Sequence, residues 1–118
     1  MENTAGAEKT IGFNEVVEVF GNEGYSTKVI AKIDTGAGVS SIDVGLAAEL
    51  SLGPLLKTEK IKSSLGAAKR AVVKAKVTVK GKTIVSNFTI SDRSRLKFPL
   101  LLGKNSLKKL GFLINPLE

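Results

Sequence analysis

The sequence predicts a mainly β fold with one or two short helices. Two runs of paired, alternating or β-branched residues read as hairpins, and only two short stretches carry helix-capping signals. A length of 118 residues with 42% hydrophobic content also suits one compact domain with its own core. Taking the elements in order, Met1–Thr10 is polar and is expected to be a disordered segment, with residues 11–118 forming a single domain. Val16–Phe20 is apolar and β-branched and closes at Gly21-Asn22-Glu23-Gly24, while Lys28–Ile33 alternates before stopping at Asp34-Thr35-Gly36. Together they predict a hairpin. Asp43 is the expected N-cap of a helix over Val44–Leu50, ended by Ser51-Leu52-Gly53-Pro54. Lys57–Ala71 is small and basic in character and reads as a mobile hairpin or loop. Val72–Lys80 alternates cleanly, Gly81-Lys82 is the expected turn, and Thr83–Ile90 returns as a strand. Phe98–Leu102 is an apolar strand halted at Gly103-Lys104. Asn105 or Ser106 is expected to cap a second helix through Leu110, with Gly111 as its stop.

Composition removes several chemistries. Zero cysteine excludes a disulfide framework, a thiol nucleophile and an iron–sulfur cluster; zero histidine excludes the usual general base and the commonest zinc ligand. Acid–base work is left to carboxylates, Lys and Tyr25. No metal and no cofactor is expected. The N-terminus lacks the apolar stretch of a secretory signal and the longest apolar runs are far short of a membrane span, so a soluble cytoplasmic protein with no membrane partner is expected.

The net charge of +7 is unevenly placed: residues 1–50 sum to −5 and residues 51–118 to +12. Such asymmetry suits an acidic partner or substrate, or simply a lysine-rich solvated surface.

Chemistry concentrates at Ile33-Asp34-Thr35-Gly36-Ala37. A carboxylate arrives at the end of a buried strand, followed by a hydroxyl and by a glycine that permits a tight turn. The tripeptide alone occurs by accident in a few per cent of chains this long. Its companion is more informative: three apolar residues precede Gly103, then Lys104-Asn105-Ser106-Leu107 leads through Gly111 to Phe112-Leu113-Ile114.

In these two motifs, in this order, the chain resembles the retroviral-type aspartic peptidases. The likeness is closer to a small bacterial and archaeal retropepsin-like family often labelled an ATP-dependent zinc protease. Its pattern is echoed at Ile11-Gly12-Phe13, Ala31–Ala37, Ser40–Asp43, Arg70–Val73 and Asp92–Lys104. Neither word of that label fits: the chain lacks His and Cys, and no P-loop motif occurs.

The resemblance implies a closed β-barrel and a homodimeric endopeptidase, because hydrolysis by this route takes two carboxylates about 3 Å apart that share a proton, and each chain supplies one Asp-Thr-Gly. It implies Asp34 as the catalytic acid, Thr35 and Gly36 as supports of the turn, and Ala37 lining the adjacent pocket. Ser63–Lys69 stands where a flap is expected, which places Leu65 and Gly66 over the substrate. Gly38 occupies the position of a viral acidic residue, so Lys104 has no expected partner. Arg70, Arg93, Arg95 and Lys104 are candidates for reading acidic side chains of a peptide, oligoglutamate being the suggested class. The alternative is a non-catalytic barrel that binds an acidic protein tail or nucleic acid. Five Phe and one Tyr offer few stacking surfaces, which argues against nucleic acid.

Overall fold

Alternation of side chains decides the layout. In β2 (Asn14–Phe20) Val17 and Val19 are fully buried, and in β3 (Ser26–Ile33) Ala31 and Ile33 point inward while Lys28, Ile30 and Lys32 stay in solvent. The pair is antiparallel with Val16 opposite Ile30, as the expected hairpin requires. The computed structural model describes residues 9–53, 57–63 and 66–118; for 57–63 and 66–69 the description covers backbone only.

The remaining strands are β1 (Thr10–Ile11), β4 (Ser40–Asp43), β5 (Lys57–Ser63), β6 (Gly66–Val79), β7 (Lys82–Ser91), β8 (Leu100–Leu102) and β9 (Leu113–Ile114). Six of the nine strands run β2-β3-β8-β4-β7-β6, and a further β2–β6 pairing closes the ring into a barrel. Closure leaves no unpaired edge between these strands. β5 extends outward beside β6, and β1 pairs in parallel with β9 as a separate two-stranded sheet. Inside the barrel sit Phe88, Ile42, Leu100, Leu102, Val73 and Val77, all fully buried. Each such side chain contributes about 1.5–3 kcal/mol by leaving water.

Several expectations are corrected in detail. Residues 57–63 and 66–72 pair as a long hairpin, one of the two forms expected for this segment, with Ser63 opposite Gly66 and Lys57 opposite Val72, so β6 begins well before the expected Val72. The β6–β7 turn is Lys80-Gly81 rather than Gly81-Lys82, because Val79 pairs with Lys82 and both turn residues take positive φ, 46° and 81°. That is the backbone a two-residue hairpin loop needs to match strand twist. Of the segment 1–10, residues 1–8 lie outside the described residues and Thr10 begins β1.

α1 (Val44–Glu49) starts as expected: the Asp43 carboxylate accepts from Gly45 N–H at 3.0 Å. α2 (Lys104–Leu110) does not. Its N-cap is Gly103, with no side-chain cap, and Asn105 and Ser106 lie within the helix. Gly111 ends it in the left-handed conformation at φ 73°, as expected.

The terminal sheet carries an acid-sensitive clasp. The Glu118 carboxylate accepts from the Thr10 hydroxyl and from Lys80 Nζ, the latter at 2.9 Å. The Thr10 hydroxyl and then the Lys80 ammonium hold the Glu118 carboxyl below the ordinary glutamate range. A carboxyl lowered on folding contributes stability above its unfolded pKa, and the contribution is lost as pH falls through the folded value. Acidification through that window is expected to lower amide-exchange protection of β1 and β9, and Glu118→Gln to remove the pH dependence.

Candidate active site

Asp34 lies where β3 leaves the barrel. Its N–H donates to the Leu102 carbonyl at 3.0 Å, and the preceding Ile33 N–H donates to the Phe13 carbonyl at 2.8 Å. The strand is thus gripped on both sides up to Asp34. Beyond it the chain turns sharply: Gly36 N–H donates to Asp34 Oδ1 at 2.9 Å and Ala37 N–H to the Asp34 carbonyl at 3.3 Å. Asp34 keeps 29% of its side chain exposed, and Thr35 and Gly36 are exposed beside it. A partly open carboxylate held by one backbone donor, the Gly36 N–H, is oriented without being sealed.

The start of α2 locks the far side of this turn. Lys104 N–H donates to the Ala37 carbonyl at 2.8 Å and Asn105 N–H to the Gly38 carbonyl at 3.2 Å. Gly103 is obligatory for that approach, since a Cβ there would stand 2.8 Å from the Ala37 carbonyl oxygen. The two motifs of the sequence therefore meet in space.

Behind them lies a buried hydroxyl network that the sequence reading did not anticipate. Ser40 Oγ donates to Asn105 Oδ1 at 2.8 Å and accepts from Gly103 N–H at 3.0 Å. Ser106 Oγ lies 2.5 Å from Ser40 Oγ and 2.8 Å from Ser86 Oγ. One proton order satisfies it: Ser86 donates to Ser106, Ser106 to Ser40, and Ser40 to Asn105. Asn105 Nδ2 then donates to the Asn87 carbonyl at 2.9 Å. Ser and Asn near a helix start ordinarily signal caps, so local propensity pointed to the wrong role.

The loop between β7 and β8 forms a second wall. Asp92 accepts from Ser94 N–H and Oγ, and those bonds hold its carboxyl below the ordinary aspartate range. Arg93 is only 8% exposed; its Nε donates to the Phe98 carbonyl at 2.9 Å and its N–H to Asp43 Oδ1 at 2.7 Å. Burial pushes the guanidinium below its ordinary range, while Asp43 and Asp34 oppose and Arg70 adds to the shift. Asp34, Arg70 and Arg93 therefore share one electrostatic neighbourhood. Arg70 is half-buried on β6 and Arg95 is exposed. Lys104 is exposed at the first position of α2. Gly66 opens β6, at the end of the β5–β6 hairpin, and Leu65 lies outside the described residues.

A cavity of about 470 Å³ is bounded by Phe13 and Asn14 at the start of β2, by the end of β3, by the β7–β8 loop and by Leu101. Lys32 lines it and also brings its Nζ to 3.9 Å from Asp34 Oδ2. Strand alternation carried this signal, because positions 32 and 34 face the same way. Among the described residues no cluster of three or more His, Cys, Asp or Glu side chains could hold a metal ion, and no helix is long and apolar enough to cross a membrane.

A six-stranded barrel that presents one Asp-Thr-Gly turn beside a short helix is the retropepsin-like architecture, and solved structures share it. The EIAV protease in complex with the inhibitor HBY-793 superposes with a TM-score of 0.67 at 18% identity, covering 95% of this chain and 96% of that one. A Legionella pneumophila protein of unknown function matches with a TM-score of 0.67 at 18% identity, over 93% of this chain and 95% of that one. A retropepsin-like aspartic protease from Rickettsia conorii gives 0.51 at 20% identity, covering 80% and 79%. A search of curated proteins finds no match. The family model for the retropepsin-like aspartic endopeptidase RimB matches residues 46–118, and the chain belongs to this RimB-like family. Asp34–Ala37 precede the matched stretch.

Proposed function

We propose that the chain is a homodimeric aspartic peptidase whose two copies of Asp34 meet across a two-fold axis and hydrolyse peptide bonds through a shared proton. The observation that carries this reading is the Asp34 turn itself, held from both sides by backbone bonds yet open to solvent. One turn per chain supplies one carboxylate. In the dimer one Asp34 takes a proton from water while its twin donates to the carbonyl oxygen. Thr35 hydroxyls cross-link the turns, Gly36 leaves room for the peptide backbone, and Ala37 borders the neighbouring pocket. The β5–β6 hairpin, in which Gly66 opens β6, covers the cleft as a flap.

Acidic peptides, of which oligoglutamate is the simplest, are the proposed substrates. Supporting this are the basic groups around the cleft: Arg70 and Arg93 near Asp34, and Lys104 at the head of α2. Sedimentation tests the assembly. A species of twice the chain mass is expected at the concentrations where peptide is cleaved; cleavage by a strictly monomeric species would overturn the reading, since an isologous pair is required.

A further inference from the structure

Charge is segregated on one outer wall of the barrel. Residues 70–91, which hold most of β6 and all of β7, contain no Asp or Glu, and neither do residues 104–117, which hold α2. The two stretches make one surface: Lys109 Nζ donates to the Val85 carbonyl at 2.6 Å and Lys82 Nζ to the Leu110 carbonyl at 2.9 Å, so α2 is bonded down onto β7. Val85 stands opposite Lys76 in the β6–β7 register, and Lys74 shares the outward face of β6 with Lys76. Lys74, Lys76, Lys82, Lys108 and Lys109 are all exposed. Carboxylates at the border are engaged: Glu118 by Lys80, Glu18 by the Ser26 hydroxyl and Glu15 by Gly12 N–H.

We propose that this face docks on double-stranded RNA through phosphate and 2′-hydroxyl contacts, without reading base sequence. Three features select that partner. The cations are lysines, compact point charges suited to phosphate oxygens, whereas carboxylates favour the arginine fork. Phe20, at the border, is covered by Lys76, whose Nζ lies 4.6 Å from the ring centroid, and Phe88 is fully buried. Bases of a single strand therefore find no stacking platform here, and the scarcity of aromatic residues leaves backbone contact with a duplex untouched. Finally, α2 has only seven residues and is held against β7, so no helix projects into a B-form major groove, while A-form RNA presents a wide, shallow minor groove lined with 2′-hydroxyls. Thr78 and Thr83, whose hydroxyls meet at 2.6 Å on this face, offer those 2′-hydroxyls a partner. The first turn of α2 fixes the Asp34 turn and its last turn carries Lys108 and Lys109, so one helix joins the two surfaces, roughly 10 Å apart along its axis.

The test follows the fluorescence anisotropy of a labelled RNA duplex of about 20 base pairs titrated with the full chain. Binding through about four phosphates is expected to weaken on the order of 10²-fold between about 50 and 200 mM salt. Lys74→Gln, Lys76→Gln and Lys108→Gln combined should weaken binding at least about tenfold at the lower salt and flatten the salt slope by about three, with the unfolding temperature and the peptide cleavage of wild type. Lys108→Gln alone should flatten the slope by about one, which carries the test if the combined variant loses stability. The same loss of charge placed elsewhere, as Lys28→Gln, Arg95→Gln and Lys97→Gln combined, should leave RNA affinity within about twofold of wild type. Absence of RNA binding at low salt, equal weakening by both combined variants, or duplex DNA bound as tightly as duplex RNA overturns the inference. So does binding to phosphatidylglycerol vesicles without binding to RNA. None of these results touches the peptidase reading, which stands or falls on cleavage.

Discussion

Asp34→Asn is expected to reduce peptide cleavage by at least on the order of 10³-fold while leaving the fold in place. The separation of effects follows from geometry. An asparagine Oδ1 can still accept from Gly36 N–H, so the turn keeps its 2.9 Å bond, and Asp34 N–H still donates to Leu102. What disappears is the ionisable oxygen that takes a proton from water or gives one to the carbonyl. Thermal unfolding and circular dichroism should therefore match wild type. Mixing provides a second readout: adding excess Asp34→Asn chain to a fixed amount of wild type should suppress cleavage by subunit exchange, because each mixed dimer has only one competent carboxylate. A monomeric enzyme would show no suppression. A barrel that merely binds an acidic tail would bind equally well with Asn at this position, and cleavage by the variant at the wild-type rate would remove Asp34 from the mechanism.

The legible parts of this molecule are those where local pattern and tertiary environment agree. β2, β3 and β7 alternate because one face meets the barrel interior and the other meets water, so Val17, Val19, Ala31 and Ile84 announce themselves. Asp43 was readable as a cap because capping is a contact within two residues. β4 was not readable as a strand: Ser40, Ser41 and Ile42 are all buried, since the strand lies between β7 and β8 and has no solvent face to impose a period. The first turn of α2 was misread for a related reason. Ser106 and Asn105 look like caps in isolation, yet their partners, Ser40, Ser86 and Asn87, are supplied by strands 18 to 66 residues away in sequence. The Asp34 turn was visible in the sequence, whereas its neighbours were visible only in part. Arg93 was legible as a candidate for reading acidic side chains, but its burial and its bond to Phe98 were not, since they depend on a loop that only the closed barrel brings round.

Gly103→Ala tests whether the site depends on that closure. The added Cβ would lie 2.8 Å from the Ala37 carbonyl oxygen and 2.8 Å from the Val39 carbonyl carbon. Both neighbours are backbone, so no side-chain rotation relieves the contact; either the Ala37–Val39 loop or the start of α2 must shift. A shift there works against the bonds that fix the turn, Lys104 N–H to Ala37 and Gly103 N–H to Ser40 Oγ. Overpacking of this kind is expected to cost about 2–3 kcal/mol, read as a lower urea midpoint. Displacing the loop also moves the Asp34 turn, and a misplacement of about 1 Å is enough to lower kcat by roughly 10²-fold. Gly38→Ala is the control: nothing lies within 4 Å of the position a Cβ would take, so its stability should stay within about 0.5 kcal/mol of wild type. If Gly103→Ala matched that control in both stability and turnover, the packing of α2 against residues 37–39 would not be what holds the Asp34 turn, and the orientation of Asp34 would have to come from β3 and β8 alone.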